Sequence, residues 1–392
     1  TNNTTGANNV SVGSYSLDAT TTGSGNTAAG KSALGGNTTG AENTGVGQGA
    51  LYTNTTASYN VAIGQNTLYA NTTGQKNVAI GGYALDNNTT ASYSVGIGYH
   101  ALGNNTTGEG NTAVGYHALV ANTTGADNTA MGYGTLDANT TGTNNTAYGI
   151  SALTANTTGT QNTGLGRNAL MTCTSGSYNT AVGRHSLHAL TTGGNNSASG
   201  RDSGLAITTG DKNTCMGRSA GSTITTGDSN TMIGYYTHGP TTGSHNVVIG
   251  DSMNIGNVSN TVAIYNGTVN ASFSSNDTSW GFNSDGRDKT DIEDLTLGLD
   301  FLKRIQPRKF RWDFRDEKRF PVASKDNPDI LIRSGFIAQE IQAVLADIGV
   351  KYTGLVDETN PDNLTVGQAD FIPMIINAIK ELSTKVAALE AA

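Results

Sequence analysis

The sequence predicts a mainly β chain: a shaft of 17-residue repeats folded as a trimeric β-solenoid or β-roll, then a small α+β domain ending in a coiled-coil helix. Three observations carry this. A glycine recurs at a constant interval, at 13, 30, 47, 64, 81, 98, 115, 132, 149, 166, 183, 200, 217 and 234, and then at 250, one position early. The residues around it are mostly Thr, Val, Ile, Asn and Gly, poor helix formers suited to strands and turns. Beyond Asn283 the composition changes: 15 of the 22 Lys and Arg lie there, and Ile372, Ile375, Ile379, Leu382, Val386 and Leu389 are spaced 3-4-3-4-3. That spacing is the seam of a coiled coil.

The repeat occurs fifteen times, with one single-residue deletion. It reads Asn, Thr or Val, Ala or Gly, an aliphatic, Gly, two variable residues, a small residue, Leu, more variable residues, Thr-Thr-Gly and two polar residues. By period-two geometry the aliphatic and the Thr or Val two residues before it share a face. Both are expected to point inward, with the Leu as a second apolar contact; it holds its place in eleven consecutive copies, Leu17 through Leu187. Two or three core groups cannot offset the ordering entropy of one repeat, so copies, and chains, must stack. At the strand-to-strand spacing of about 4.8 Å, fifteen coils would make a shaft of about 70 Å.

The leading Asn is present in fourteen of fifteen copies, Ser94 being the exception. It is expected to form an amide ladder along the stack. Thr-Thr-Gly is expected to be a turn whose glycine supplies a positive φ. The Asn-Thr-Thr stretches also spell the N-glycosylation signal, although the turn accounts for the same residues. From Gly200 the pattern loosens: the Leu is expected to shift to Leu205, with Gly221 and His238 standing in its place later, as a cap takes over. Thr261–Ile264 and Thr268–Phe273, with Asn266-Gly267 between, read as a hairpin leading to Trp280.

The five-residue strand element, as in Asn60-Val61-Ala62-Ile63-Gly64 and Asn77-Val78-Ala79-Ile80-Gly81, resembles the head repeats of trimeric autotransporter adhesins. That resemblance implies a trimeric parallel β-roll. The adhesin repeats are shorter than the unit of this chain, so a triple-stranded β-spiral or an interwoven trimeric β-helix stays open.

Equivalent positions of a solenoid form columns, where a ligand is read. Just after the glycine the column runs Tyr99, Tyr116, Tyr133, Ile150, then Arg167, Arg184, Arg201 and Arg218, with His100 and His117 beside the tyrosines. Aromatic columns suit sugar stacking and arginine columns suit anionic glycans. Drift at solvent-facing positions accounts for the same residues.

A net charge of −8 argues against a nucleic-acid partner. No run of 18 apolar residues is present, and the start, Thr1-Asn2-Asn3-Thr4, has neither a basic nor an apolar stretch, so no membrane is expected. A start at Thr without Met predicts that a longer chain precedes it and carries the attachment end. Cys173 and Cys215 fall at different phases of the repeat and are read as unpaired small residues. No metal or cofactor is expected.

Between the two compositions lies Phe282-Asn283-Ser284-Asp285-Gly286-Arg287-Asp288-Lys289-Thr290. Ser284 and Lys289 are side chains that a serine peptidase can use without histidine, because a desolvated neutral lysine can take the hydroxyl proton. Beyond them, Leu295–Ile305 reads as a helix ending before Pro307, Lys309–Phe314 as a strand, Arg315–Asn327 as a charged loop and Gln339–Ile348 as a second helix. Asn283-Ser284-Asp285-x-Arg287-x-Lys289, then Leu302, Pro307, Phe310 and Trp312, then Gly335-Phe336-Ile337-Ala338-Gln339-Glu340-Ile341, then the terminal Ile/Leu helix, resemble the intramolecular chaperone domain that ends endosialidase tailspikes and other bacteriophage tail fibres.

The resemblance implies a domain that drives trimer assembly of the fibre ahead of it and then cuts itself off, with Ser284 and Lys289 as the catalytic pair and Asn283, Ser284 and Asp285 as the junction. Asp288 stands where that family often has a hydrophobic residue, and its carboxylate favours protonated Lys289. The expected organisation is a shaft over 1–250, a hairpin transition over 251–283 and a chaperone over 284–392 with its terminal helix at 369–392.

What the resemblance implies about function is a virion tail fibre or receptor-binding shaft, assembled in the host cytoplasm. Its partners would be two further copies of itself, other tail proteins through the preceding part, and a host surface glycan or protein receptor. Its chemistry would be one turnover on itself and none on external substrates. A polysaccharide-degrading tailspike would need paired carboxylates, and the repeats hold only scattered Asp and Glu. A cellular trimeric adhesin would end in a membrane-anchor barrel rather than a helix.

Overall fold

A computed structural model of the chain describes residues 2–265, 270–274, 281–282, 293–310, 333–350, 355–357, 364–366 and 370–392. The chain divides into two compact units, Thr1–Asn283 and Ser284–Ala392.

The first unit is a parallel β-solenoid. Three-residue strands from β1 (Val10–Val12) to β14 (Thr231–Ile233) recur once per coil, followed by β15 (Val247–Gly250) and β16 (Thr261–Tyr265). Each pairs in parallel with the next coil of the same chain, one full repeat on, as in Val10↔Thr27 and Thr163↔Thr180. The step shortens by one position at Thr231↔Val247 and by one more at Val247↔Val262. Both neighbours of a strand come from its own chain, which selects the solenoid over an interwoven spiral. Strand β16 therefore adds a coil beyond the fifteen glycine repeats. It then pairs antiparallel with β17 (Asn270–Ser274), which pairs with β18 (Gly281–Phe282). The expected hairpin pairing is present; its Asn266-Gly267 turn and Trp280 lie outside the described residues.

The interior corrects the expected strand faces. From β2 to β14 the middle residue of each strand, nearly always small, points inward, and Ala28, Ala62, Ala113 and Ala181 are fully buried. The aliphatic before the glycine points outward: Val46, Ile63, Ile80, Val182 and Ile249 are all exposed. The reason is volume. The Leu of the preceding repeat fills the coil from the opposite side, so that a Cβ on Gly45 would sit 3.3 Å from Leu34 Cγ and one on Gly96 3.4 Å from Leu85 Cγ. Only Ala or Gly fits beneath it.

Each of the eleven Leu lies at positive φ, between 49° and 56°. Such a backbone costs about 1 kcal/mol or more for a non-glycine residue, which burial of a Leu side chain, worth about 1.5–3 kcal/mol, offsets. After Leu187 the column resolves this conflict differently. Gly204 and Gly221 take the left-handed position, with φ 59° and 63°. The bulk then comes from Ile207 and Ile224 three residues on, and from Cys215 and Met232 on the strand, all fully buried. Leu205, the expected replacement, is only half-buried.

Two amide ladders run through the coils. In the expected one, Asn43 donates its backbone N–H to Asn26 Oδ1 (3.0 Å) and its Nδ2 to the same oxygen (3.1 Å) and to the Ala57 carbonyl (2.9 Å). A second ladder, from the Asn of Asn-Thr-Thr, runs from Asn37 to Asn156. Asn54 Nδ2 donates to Asn37 Oδ1 (2.8 Å) and to the same Ala57 carbonyl (3.0 Å). Because these amides are fully buried and their donors are used, a glycan has no place on Asn37 through Asn156. The ladder stops at Asn156, whose Oδ1 has no partner, because Cys173 holds the next position. Thr hydroxyls add a third row, each donating to the carbonyl one coil on, as in Thr106 Oγ1 to Thr123 O (3.0 Å).

The Thr-Thr-Gly glycine does not have the positive φ expected of it. It is small because the coils approach there: a Cβ on Gly210 would lie 2.5 Å from the Gly227 carbonyl oxygen. Ala57 and Ala91 show that this position accepts a methyl in some coils. The strand-ending glycine is the one with positive φ, from 119° to 152° in all fifteen copies.

Ser94 interrupts the first ladder. Its backbone N–H still reaches Asn77 Oδ1 (2.9 Å), but its hydroxyl is buried without a partner. Asn111 loses the acceptor its counterparts use and turns Nδ2 to the Gly108 carbonyl (3.1 Å). Ser94→Asn is expected to restore the ladder and raise stability by ~1–3 kcal/mol, read as a higher denaturant midpoint at unchanged slope.

Candidate functional site

The second unit is built around α1 (Leu299–Arg304), β19 (Arg308–Phe310), β20 (Arg333–Gly335), α2 (Ala338–Asp347), β21 (Val356–Asp357), β22 (Thr365–Val366) and α3 (Phe371–Glu390). Its core joins Leu297, Phe301 and Ile305 to Ile341, Leu345, Leu355, Phe371 and Met374. Helix α1 starts at Leu299, a full turn later than the expected Leu295. No side chain of its own caps it; Glu381 of α3 accepts from the Leu299 N–H (3.2 Å) instead. Asn377, one turn earlier on α3, donates to the Leu295 and Leu297 carbonyls (3.0 and 3.2 Å). Strands β19 and β20 pair antiparallel, and Arg308 binds Glu340 of α2 with a fork, Nε to Oε2 at 3.0 Å and Nη2 to Oε1 at 2.7 Å. That hydrogen bonding holds the Glu340 carboxyl below its usual range and the Arg308 guanidinium above its own.

Helix α3 thus has two faces. Phe371, Met374 and Ala378 pack on its own unit, while Ile372, Ile375, Ile379, Leu382, Val386 and Leu389 are 45–77% exposed. The heptad row and the domain-packing row coexist on one helix.

The unit boundary falls between Asn283 and Ser284. The junction Asn283, Ser284 and Asp285 and the partner Lys289 lie outside the described residues, as do Trp312 and the charged loop 315–327.

On the shaft, the tyrosine column forms one stack. Tyr99 and Tyr116 lie 5.7 Å apart at 13°, and Tyr116 and Tyr133 5.2 Å apart at 7°. His117 stacks on Tyr116 at 4.0 Å, and His100 on Tyr83 at 5.0 Å. The faces of Tyr116 are thereby taken by its neighbours, which removes the platform a sugar would stack on; the outward edges remain. Beside this stack, burial raises the carboxyls of Asp86 and Asp137, each opposed by a nearby histidine, His100 and His117. The two aspartates hold the same position three coils apart, or about 14 Å at strand spacing. Glycosidase carboxylates lie about 5–9.5 Å apart, so this pair does not form that site.

The arginine column is exposed, and Arg201 Nε contacts Asp202 Oδ2 at 2.9 Å. Arg218 donates to the hydroxyls of Tyr235 (3.1 Å) and Tyr236 (3.3 Å), partners that the column alone did not reveal. Cys173 and Cys215 are free, and burial pushes their thiols up to about 11 and about 12, which leaves them protonated and unreactive. Among the described residues no cluster of His, Cys, Asp and Glu is arranged to hold a metal, and no helix is long and apolar enough to cross a membrane.

A family model described as the chaperone of endosialidase matches residues 284–350. No curated protein and no solved structure matches the chain. The chain therefore carries a β-solenoid of 17-residue coils and a later segment, 284–350, that is similar to the endosialidase chaperone, and the match begins at the first residue of the second compact unit.

Proposed function

We propose that this chain is a bacteriophage tail-fibre or receptor-binding shaft, carried on the virion and assembled in the host cytoplasm, whose C-terminal domain drives trimerisation and then cleaves itself off. The observation that carries this reading is the chaperone match starting at Ser284, at the end of a repetitive solenoid. Two exposed apolar surfaces support the homotrimer: the heptad row of α3, and the outward, mostly aliphatic stripe that runs from Val12 to Ile264. Shaft coils 1–250, the transition 251–283 and the chaperone 284–392 are its working parts. Its further partners would be other tail proteins and, as the receptor, a host surface glycan or protein.

In the cleavage step Lys289, neutral when desolvated, takes the proton of Ser284 Oγ as that oxygen attacks the Asn283 carbonyl carbon. The Asn283–Ser284 peptide bond breaks, its nitrogen receives the proton from Lys289, and an ester forms. Water hydrolyses the ester, leaving a carboxylate on Asn283. The shaft, separated from the element that guided its assembly, then owes its durability to a slow unfolding rate.

The test is denaturing electrophoresis with intact-mass analysis of freshly expressed chain beside Ser284→Ala. Two pieces, 1–283 and 284–392, are expected from the parent and absent from the variant. An uncut chain in both samples removes the self-cleavage and leaves the domain as a permanent tip.

A further inference from the structure

Beyond assembly, we propose that the shaft binds a linear acidic polysaccharide along the column of Arg167, Arg184, Arg201 and Arg218. These side chains hold one position in four consecutive coils, and all are exposed. Elsewhere the same position takes residues as different as Ser14, Lys31, Gly82, Tyr133 and Asp251, so packing does not call for arginine there. Five of the seven Lys and Arg that precede residue 250 lie between 167 and 218. The arginines lie in the turns just after their strands, stacked coil on coil about 4.8 Å apart, where like charges repel, so folding of the shaft does not account for the row.

The row is also ordered in a way that suits an anion. Arg218 is held by the Tyr235 and Tyr236 hydroxyls, with its guanidinium carbon 5.4 and 5.2 Å from the two ring centres. Arg201 is anchored through Nε to Asp202, and that carboxylate also meets His185 Nδ1 at 3.3 Å. Arg167 and Arg184 have no ion-pair partner among the described residues. The planar guanidinium fork pairs with a carboxylate through two parallel hydrogen bonds. A polymer carrying one carboxylate about every 5 Å would keep register with the coils across ~14 Å. A nucleic-acid strand fits less well: Tyr235 and Tyr236, at the end of the row, carry a guanidinium where a base would stack.

The probe is fluorescently labelled polygalacturonate, titrated with the full chain at low ionic strength, with neutral dextran and oligo-dT as comparisons. The expected result is binding that weakens steadily with salt, no binding of dextran, and weaker binding of oligo-dT. Arg167→Gln/Arg184→Gln should lose about tenfold or more in affinity while its melting temperature and circular dichroism stay unchanged. Arg184→Lys, which keeps the charge and loses the fork, should fall between, and Lys31→Gln should bind as the parent. Failure of polygalacturonate to bind, unchanged affinity in both arginine variants, or oligo-dT binding as tightly would each overturn the proposal.

Discussion

Gly132→Val is expected to split the melting of the shaft into two transitions and to destabilise it by ~4 kcal/mol or more. Gly132 ends a strand at φ 138°, a conformation closed to residues with a Cβ. A Cβ there would lie 2.7 Å from the Gly149 carbonyl oxygen and 2.9 Å from its carbon. The coil above cannot move aside, because its N–H groups are already spent on this one: Gly149 donates to Met131 and Ser151 to Tyr133. In a solenoid each repeat touches only its neighbours, so a defect at mid-shaft weakens one interface and uncouples the stacks on either side. Differential scanning calorimetry checks this, with a single cooperative transition in the parent and two in the variant. An unchanged single transition would mean that the coils can part at that column without cost.

How much of this architecture could be read in advance depended on whether a residue repeats with the coil. The 17-residue period, the parallel stack and the first Asn ladder follow from positions that recur from Gly13 to Gly250. The strand faces did not follow. A three-residue strand offers two assignments, and the rule that larger apolar residues go inside selects the wrong one when Leu34 or Leu85 reaches in from across the coil. The second ladder was hidden because Asn37 through Asn156 also look like turn residues and glycosylation signals; only burial distinguishes these roles. The handover from Leu187 to Ile207 escaped notice because it changes three columns together, Gly204, Ile207 and Cys215, each unremarkable alone.

For the candidate site the division is similar. The exposed seam of α3 was legible as a heptad, which needs only local spacing. Its other duties were not: Glu381 meets Leu299 and Asn377 meets Leu295, pairs that lie far apart along the chain. No local pattern signals such a pairing. Tyr235 and Tyr236 were likewise invisible as supports for Arg218, since the contact forms only once the coils stack.

The second large effect concerns alignment, and here repetition itself creates the difficulty. Near-identical coils permit near-identical mistakes. Two shafts meeting along the outward aliphatic stripe could slip by a whole coil and forfeit the contacts of one coil only, so the interface sets its own register weakly. Residues 284–392 do not repeat, and in the proposed trimer the α3 heptad row would give the three chains one shared starting point. Removing that domain should leave each coil able to form while the chains lose their common register, with exposed aliphatics such as Ile63, Ile80 and Met216 free to pair indiscriminately.

The most direct test of an assembly domain is therefore to express residues 1–392 and residues 1–283 side by side and weigh the soluble material by sedimentation velocity with multi-angle light scattering. The account predicts one trimeric species from 1–392, cut or uncut, and from 1–283 aggregates or a spread of sizes with little soluble trimer. A monodisperse trimer, or a stable soluble monomer, obtained from 1–283 in equal yield would contradict it.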